Sequence, residues 1–350
     1  MKFGIKEFNF LLQDPCVVIA EVGVNHNGDP ALARKLVDAA VLAKVDVVKF
    51  QLFNSEKEIS RYASKAPYQA KNTSDEGNQL DMCKALELKV EVLEEMQKYC
   101  AGRGVGFLCT PFEFESVDLL VDRLKMETLK IGSGEITHIP LLEYVGQRCP
   151  GVILSTGAST LAEVSAAVHA LKKGGFCRQI LLLHCVTSYP ADISQVNLRA
   201  MGLMRRKLGL PVGFSDHTLG IDVAIAAAAL GAAAIEKHIT LDRHLPGPDH
   251  RASIEPDELA EMVKGIREAQ LALGKTLKEA QPCEIPNLSL VRKSLVAAKN
   301  LEAGTRLTRA MIEIKRPETG ILPVDLPKVI GRVVKRNIEE DQPIQWEDLS

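Results

Sequence analysis

Polar side chains recur in this chain at the points where short apolar segments end. Two of them are lysines, Lys49 and Lys130, which lie within apolar segments where an unpaired ammonium group would be costly to bury. Lysine charge surrounded by hydroxyl groups and open backbone N–H groups is typical of a phosphate or carboxylate site. The alternative is that the two lysines form internal salt bridges with Glu21 or Glu236. The small residues that could complete an anion site are Thr110, Ser133, Gly134, Ser155 and Ser215.

Two histidines, His217 and His238, end neighbouring predicted strands, so their imidazole groups can approach each other beside Glu135. Two imidazole ligands leave open coordination positions for substrate oxygens, as a Lewis-acid metal site requires. We therefore predict a divalent metal ion there, with His184 as a second choice of ligand. The alternative is that each histidine is an ordinary core residue held by a hydrogen bond.

Two further segments are candidates for substrate contact. The loop Pro246–His250 is stiffened by two prolines, which favours a fixed contact to a ligand, although an ordinary rigid turn would show the same pattern. Residues 62–78 are polar and poorly patterned, as is typical of a lid over a barrel. The first is therefore a candidate substrate contact, and the second is a candidate lid.

These polar residues lie at the ends of predicted strands, which alternate with predicted helices up to about residue 275. Most strand candidates are continuous apolar runs, as expected for parallel strands buried on both faces. Eight strand–helix units predict an α/β fold, a (β/α)8 TIM barrel, whose active site forms at the carboxyl ends of the strands. The predicted strands are Val17–Glu21, Val47–Gln51, Val105–Thr110, Leu129–Gly132, Val152–Ser155, Ile180–Cys185, Val212–Ser215 and Ala233–His238. The helical patterns between them include Pro30–Lys44, Val90–Cys100, Leu161–Lys173, Asp222–Leu230 and Pro256–Leu273.

At 350 residues the chain is longer than such a barrel needs. Residues 276–290 contain two prolines and no amphipathic period, so we predict a linker there. Beyond it, turn signals and strand-like pieces at Ser294–Ala298 and Arg332–Val334 predict a small β-rich module. We therefore divide the chain into a TIM-barrel domain of residues 1–275, a linker of residues 276–290 and a C-terminal domain of residues 291–350.

Composition and charge exclude several classes of protein. With 46% hydrophobic and 25% charged residues, the balance is that of a globular protein with a large core. The formal net charge of −2 gives no global positive field, so we predict no binding to nucleic acid or to a membrane surface. We find no apolar run of membrane-spanning length and no signal-peptide pattern. The eight cysteines form no CxxC pair and are expected to be buried free thiols of a cytoplasmic protein.

A set of strings that spans almost the whole chain resembles the sialic acid synthase family of bacteria. The strings include, in order, IAEVGVNHNGD, VVKFQLF, KIGSGEITHIP, VGFSDHT, IEKHITLDRHLPGPDH and KRPETGI. This family makes N-acetylneuraminate and its legionaminate and pseudaminate relatives, and its C-terminal module is the antifreeze-like SAF domain. The strings KFQ, APYQ and SGEITHIP are most similar to legionaminate synthases, and the GPDH loop argues against the pseudaminate branch.

The resemblance implies an enzyme that condenses phosphoenolpyruvate with the aldehyde of an N-acylated mannosamine-type sugar. The products would be a nine-carbon 2-keto acid and phosphate. Either N-acetylmannosamine or 2,4-diacetamido-2,4,6-trideoxymannose is the expected sugar. The residues that the resemblance assigns to phosphoenolpyruvate are Lys49, Thr110, Lys130, Ser133, Ser155, Thr187 and Ser215.

The resemblance also implies roles for the remaining site residues. The carboxylates that would flank the reacting carbons and carry acid–base catalysis are Glu21 and Glu135. The ligands that would bind Mn2+ or Mg2+ are His217 and His238. The side chains that would contact the sugar are Gln51, Tyr189, Asp249 and Arg316. In the family this arginine reaches the site from the tail of a partner subunit, which implies a domain-swapped homodimer.

Two other functions stay open at this point. A related phosphoenolpyruvate-dependent synthase that uses a phosphorylated aldose would need a second basic cluster, and only one obvious lysine cradle is present. A non-catalytic binding protein built around the C-terminal domain would leave the polar strand ends without a role.

Overall fold

Eight parallel strands form the barrel, so the predicted α/β class is confirmed. The computed structural model of the chain describes residues 15–73 and 77–350. The strands are β1 Val17–Gly23, β2 Val47–Leu52, β3 Gly106–Pro111, β4 Thr128–Ile131, β5 Gly151–Ser155, β6 Gln179–Cys185, β7 Val212–Asp216 and β8 Ala234–His238. Hydrogen bonds join them in the order β3-β2-β1-β8-β7-β6-β5-β4, and β3 packs against β4 to close the ring.

Helices follow most of the strands, and short helices occupy the connection after β2. The helices of this unit are α1 Pro30–Leu42, α2 Ser55–Glu58, α3 Pro67–Thr73, α4 Gln79–Lys84, α5 Val90–Arg103, α6 Phe114–Asp118, α7 Ile139–Arg148, α8 Leu161–Lys173, α9 Arg199–Leu208, α10 Asp222–Ala229 and α11 Pro256–Leu273. A π-helical turn, Leu119–Arg123, continues α6. No helix in the described ranges is long and apolar enough to cross a membrane.

Local sequence signals explain where several helices begin and end. The Asp29 side chain accepts a hydrogen bond from the Ala31 N–H, with Pro30 at the first helical position of α1. Thr160 and Glu163 form a reciprocal capping box at the start of α8. The left-handed Gly104 ends α5, where a Cβ would be strained. These signals are local, which is why the helix boundaries follow closely from the sequence.

The second unit of the chain spans Lys275–Ser350, and the first ends at Gly274. Its regular elements are α12 Leu288–Val291, β9 Ser294–Ala297, β10 Ile312–Lys315 and α13 Leu326–Val329. The two strands are antiparallel, and their buried side chains join a separate apolar core that includes Leu301, Leu307 and Val329. This unit therefore buries its own hydrophobic cluster.

The observed strands of the barrel differ from the predicted ones by one or two residues at their ends. The prediction for Arg332–Val334 is wrong, because Val333 and Val334 make single bridges to two different segments, at Arg306 and Leu349. Strand β10 was not predicted. Within the predicted linker, Ile285–Asn287 form a 3-10 turn that leads into α12. Residues 74–76 of the predicted lid lie outside the described residues.

A buried ion pair joins β7 to β8 on the side facing away from the barrel interior. Asp216 and Lys237 are directly paired in register, with Lys237 Nζ 2.7 Å from Asp216 Oδ2 and both side chains fully buried. Lys237 Nζ also donates to the Thr218 carbonyl at 2.6 Å, and Asp216 Oδ1 accepts from the Thr218 N–H and hydroxyl. Every charge in the pair is therefore compensated inside the protein.

Replacing Asp216 by Ala should destabilise the barrel by about 3–5 kcal/mol, because the Lys237 ammonium group stays buried without a counter-charge. The double replacement Asp216→Leu with Lys237→Met removes both charges and should cost less. Urea unfolding followed by circular dichroism measures the free energy of unfolding of each protein. The role of the pair is contradicted if the single variant is at least as stable as the double variant.

Candidate active site

A cavity of about 280 Å³ opens at the carboxyl ends of the barrel strands. Its walls come from strand residues and from the loops that follow them, as expected for the functional face of such a barrel. The residues predicted for the site that line this cavity are Glu21, Lys49, Gln51, Thr110, Lys130, Ser133, Ser155, Thr187, Tyr189, Ser215, His217, His238 and Asp249. Glu135 is not among the lining residues, and Arg316 lies in the second unit of the chain.

Four charged groups meet at the base of the cavity. Lys49 Nζ lies 2.7 Å from Glu236 Oε2 and 3.4 Å from Glu21 Oε2, and all three side chains are buried. Lys130 Nζ lies 3.9 Å from Glu236 Oε1 and donates to the Ile131 carbonyl at 3.1 Å. The internal salt bridges considered for these lysines are therefore present. Because the lysines also line the cavity, the same ammonium groups face the space where an anion would bind.

The cluster shares its charge unevenly between the two carboxylates. Burial raises the pKa of Glu21 to about 7, against the opposing effect of Lys49. For Glu236, the effect of burial is outweighed by the ammonium groups of Lys130 and Lys49, which lower its pKa to about 2. Burial lowers the pKa of Lys130 to about 8. At neutral pH the positive charge of the two lysines is therefore not fully balanced by the two carboxylates, which favours a bound anion.

Small polar groups surround these charges. The Thr110 hydroxyl is buried without a hydrogen-bond partner among the described residues, so it is available to a ligand. The Ser133 and Thr187 hydroxyls lie 3.2 Å apart, and Ser215 Oγ donates to Glu236 Oε1 at 2.9 Å. Gly157 packs so closely against the Thr187 hydroxyl that a Cβ would collide with it. The absence of a side chain at Gly157 therefore leaves the space that the Thr187 and Ser133 hydroxyls occupy.

The rings of His217 and His238 meet at the cavity wall, with centroids 5.6 Å apart. Nδ1 of His217 lies 2.7 Å from the Val186 carbonyl, which orients the ring and leaves Nε2 toward the cavity, 3.4 Å from Ser215 Oγ. Nδ1 of His238 is buried and makes no hydrogen bond to a described residue. Burial lowers the pKa of His217 to about 4 and that of His238 well below its usual value. Both imidazoles are therefore neutral, the form that binds metal ions.

Other groups add little to a metal site. No three His, Cys, Asp or Glu side chains converge as a ligand cluster in the described part of the chain. Asp249 Oδ2 lies 3.9 Å from His238 Nδ1, beyond bonding distance. His184, the second choice of ligand, donates from Nε2 to the Val196 carbonyl at 2.7 Å and packs against Phe214, and it does not line the cavity. The alternation of strand side chains places it on the opposite face from Cys185.

The rim of the cavity is built by the loops after β2, β6 and β8. Asn27 Nδ2 donates to the Pro246 carbonyl and Asn72 Nδ2 donates to the Pro248 carbonyl, so the proline-rich loop is held from two sides. It carries Asp249, whose pKa burial raises to about 6. The Tyr189 ring packs against His217 at a tilt of 34°, with ring centroids 4.1 Å apart. The loops therefore bring polar groups over the charged base.

Sequence reasoning missed several residues of the outer cavity. These are Val24, Phe53, Glu58, Met82, Leu86 and Phe112, whereas Tyr68 and Gln69, which also line the cavity, belong to the segment predicted as a lid. Single apolar residues after a strand, such as Val24 and Phe112, look like core residues, and only the length of the segment between β2 and α5 pointed to the others. Glu135 belongs to a 3-10 turn, Ser133–Thr137, which brings Ser133 and Gly134 to the cavity and leaves the half-buried Glu135 outside its lining. Burial raises the pKa of Glu135.

Arg316 follows β10 in the second unit and precedes the cis-proline Pro317. Its side chain is exposed and makes no hydrogen bond or ion pair with any residue that the structure describes. The guanidinium group is therefore free to bind a ligand or another subunit.

Comparisons with known proteins agree with the resemblance in the sequence. The NeuB family model matches residues 36–278 and the SAF domain model matches residues 292–350. An N,N'-diacetyllegionaminic acid synthase of Campylobacter jejuni is 44% identical over 330 residues, 94% of this chain and 98% of the relative. A second, from Legionella pneumophila, is 39% identical over 95% of this chain and 94% of the relative. The crystal structure of the sialic acid synthetase of Leptospira borgpetersenii, in complex with citrate, matches with a TM-score of 0.69 at 34% identity, covering 78% of this chain and 90% of that one.

Sulfate can serve as a probe of the anion site at the two lysines. Its binding should weaken as the pH rises above about 8, because Lys130 loses its proton there while sulfate stays a dianion. Replacing Lys130 by Met should lower the affinity for sulfate about tenfold and reduce this pH dependence. Isothermal titration calorimetry from about pH 7.5 to about pH 9.5 measures both effects. If the variant keeps the full pH dependence, another group is responsible. A thermal unfolding curve of the variant serves as the control for folding.

Proposed function

The chain belongs to the NeuB family and carries a SAF domain, and we propose that it condenses phosphoenolpyruvate with an N-acylated mannosamine-type sugar. The products are a nine-carbon 2-keto acid and phosphate. The observation that carries this proposal is one cavity in which two buried lysines lie beside two neutral histidines. Lysine charge suits the phosphate and carboxylate groups of phosphoenolpyruvate, and neutral imidazoles suit a divalent metal ion.

Phosphoenolpyruvate occupies the charged base of the cavity in this proposal. Lys49 and Lys130 supply the positive charge, and the unpartnered Thr110 hydroxyl supplies a donor. The bound anion competes with Glu236 for the two ammonium groups, which keeps them charged once the ligand is present. The remaining small donors around the phosphate are Ser133, Ser155, Thr187 and Ser215.

The two histidines fit a divalent metal ion, Mn2+ or Mg2+. His217 is oriented through its Nδ1 by a backbone carbonyl, and buried His238 Nδ1 lacks a partner among the described residues, as expected of side chains that await a ligand. A bound metal ion would polarise the aldehyde of the sugar and so make its carbon more electrophilic. Two protein ligands leave positions for water and substrate oxygens.

Glu21 is the group that we assign to proton transfer. C3 of phosphoenolpyruvate bonds to the aldehyde carbon, water adds to C2, and the bond from C2 to the phosphate oxygen breaks to leave a ketone. Of the two protons that the added water loses, one makes the aldehyde oxygen a hydroxyl and the other leaves with phosphate. The added water must lose a proton, and the Glu21 carboxyl lies at the base of the cavity with a pKa near 7. Gln51 Nε2 donates to Glu21 Oε1 at 2.7 Å and fixes its orientation. Glu135 is the second candidate, from outside the cavity lining.

The sugar lies above phosphoenolpyruvate, toward the mouth of the cavity. Gln51, Tyr189 and Asp249 line this region and offer an amide, a phenol and a carboxylate to its hydroxyl and acylamino groups. A phosphorylated sugar fits less well. Among the described residues that line the cavity, the only lysine or arginine side chains are Lys49 and Lys130, at its base.

We further propose that the active unit is a domain-swapped homodimer. Arg316 from the tail of one subunit would contact the N-acyl group of the sugar in the other, which accounts for its exposed and unpaired side chain.

We assign the enzyme to the bacterial cytoplasm, because all eight cysteines are free, as in a reducing compartment. The expected partners are the two substrates and a second copy of the chain, with no nucleic acid and no membrane.

Phosphate should be released from phosphoenolpyruvate only when an N-acyl mannosamine-type sugar and Mn2+ are both present. EDTA should stop the release and added Mn2+ should restore it, because the two histidines supply only part of the coordination shell. A coupled assay for inorganic phosphate measures the rate. Absence of release with both N-acetylmannosamine and 2,4-diacetamido-2,4,6-trideoxymannose would refute the proposed function.

Two inactive variants should complement each other if the tail acts across the dimer. Lys49→Met disables the barrel and Arg316→Ala disables the tail, so a mixed dimer has one site with an intact barrel and an intact tail. Co-expression should restore about a quarter of the wild-type activity, because about half of randomly formed dimers are mixed. The control is a mixture of the two variants purified separately, under conditions in which the dimers do not exchange subunits. Lack of complementation in verified mixed dimers would place each tail over its own barrel.

A further inference from the structure

The Asp249 carboxylate lines the cavity without a hydrogen bond to any residue that the structure describes. Its side chain is buried, and Oδ2 lies 3.9 Å from His238 Nδ1, which is beyond bonding distance. Because no bond to the carboxylate itself fixes it, its position is set by the backbone that carries it. The location of this group therefore depends on what holds the Pro246–His250 loop.

His250 is fully buried and connects this loop to the loop after β1. Asn27 Nδ2 donates to the Pro246 carbonyl, so Asn27 Oδ1 is the atom that faces His250 Nε2, at 3.2 Å. The imidazole therefore donates from Nε2. Burial lowers the pKa of His250 to about 4, so the ring is neutral and its Nδ1 accepts from the Thr240 hydroxyl at 2.7 Å. One side chain thus ties together the loop after β1, the end of β8 and the proline-rich loop.

A second set of hydrogen bonds ends on the backbone of Asp249. Asn25 Nδ2 donates to the Ile239 carbonyl and to Ser253 Oγ, each at 2.8 Å. Ser253 Oγ donates in turn to the Asp249 carbonyl at 2.8 Å. Asn25 and Ser253 are both buried, and hydrogen bonds in series strengthen one another where water is excluded. The residue whose carboxylate enters the cavity is therefore fixed at its own carbonyl.

Gly247 lets the loop lie close against the first set of bonds. Its φ of 148° is a conformation that side chains rarely adopt, and a Cβ there would lie 2.7 Å from His250 Cδ2 and 2.9 Å from Asn27 Oδ1. The loop is therefore packed directly onto the two side chains that hold it.

We call these five residues the loop clamp; they are Asn25, Asn27, Thr240, His250 and Ser253. None of them lines the cavity, so they can act on a substrate only through the groups that they hold. We propose that the loop clamp positions the Asp249 carboxylate for its contact with the sugar, with His250 as the central positioning residue. This inference rests on the proposed function, in which Asp249 contacts the sugar, and it gives a role to the NHNGD string that follows β1.

Replacing His250 by Ala should raise the KM for the sugar about tenfold, because the carboxylate is no longer held in place. The KM for phosphoenolpyruvate should change less than about twofold, since the two lysines keep their ion pairs. His250→Gln can still donate and accept and should restore most of the loss. His244→Ala, at an exposed histidine of the same loop, is the matched control and should change neither KM. Phosphate release with Mn2+ measures both constants, and an equal rise in the two KM values in His250→Ala contradicts the inference.

A double-mutant cycle separates positioning from a merely structural role. If His250 acts through Asp249, then His250→Ala should raise the sugar KM no further in a protein that already carries Asp249→Ala. Persistence of the full effect in that background overturns the inference, whereas sugar-dependent phosphate release by the wild-type enzyme still upholds the proposed function. If the wild-type enzyme releases no phosphate with either candidate sugar, both fail.

Ser253→Ala tests the second set of bonds and does not depend on whether His250→Ala folds. The Asp249 carbonyl keeps its bond from the Ala252 N–H at 3.1 Å, so this variant should fold, which circular dichroism checks. Loss of one buried hydrogen bond should raise the sugar KM about threefold, and this rise should also vanish in the Asp249→Ala background. An unchanged sugar KM in the folded variant contradicts the loop clamp.

Discussion

Two lysine ammonium groups held inside a closed barrel are the constraint on which the site depends. A buried ammonium needs counter-charge, and the neighbouring strands supply it as Glu236 and Glu21. This counter-charge is incomplete, because burial keeps the pKa of Glu21 near 7, and among the described residues only Glu236 lies within 4.0 Å of both lysine Nζ atoms. The carboxylates stabilise the buried lysines when no ligand is bound, and the remaining positive charge favours an anion. A site that binds and releases an anion repeatedly needs both properties.

The two-residue period of the strands ties this chemistry to the stability of the barrel. Glu236 and His238 face the cavity, so the residue between them, Lys237, must face outward into the packed layer around the barrel. Its charge is compensated there by Asp216, the residue that precedes His217. The ion pair therefore joins the two strands that carry the histidines, and the site cannot shift its register without breaking a buried salt bridge.

The sequence predicts those parts of the molecule that depend on local or periodic signals. Continuous apolar runs define the barrel strands, and the polar residues at their ends converge because parallel strands of a barrel end on one face. The parts that it misses depend on the path of the chain. Glu135 is carried away from the cavity lining by a 3-10 turn, and Val333 and Val334 bridge to different segments instead of forming a strand. Apolar residues such as Phe53 look like core until the structure places them in the cavity wall.

The cavity has two layers, a charged base and an apolar outer layer, and they are built from different parts of the chain. The base is built from strand residues whose charges depend on one another, so a change there alters both binding and stability. The outer layer comes from the segment between β2 and α5 and from single residues just beyond the strands, and its apolar cluster is separate from the barrel core. Substitutions in that layer can therefore reshape the outer cavity without removing the ion pairs of the buried lysines. The base of the cavity therefore depends on the barrel strands, and its outer layer depends on the loops that follow them.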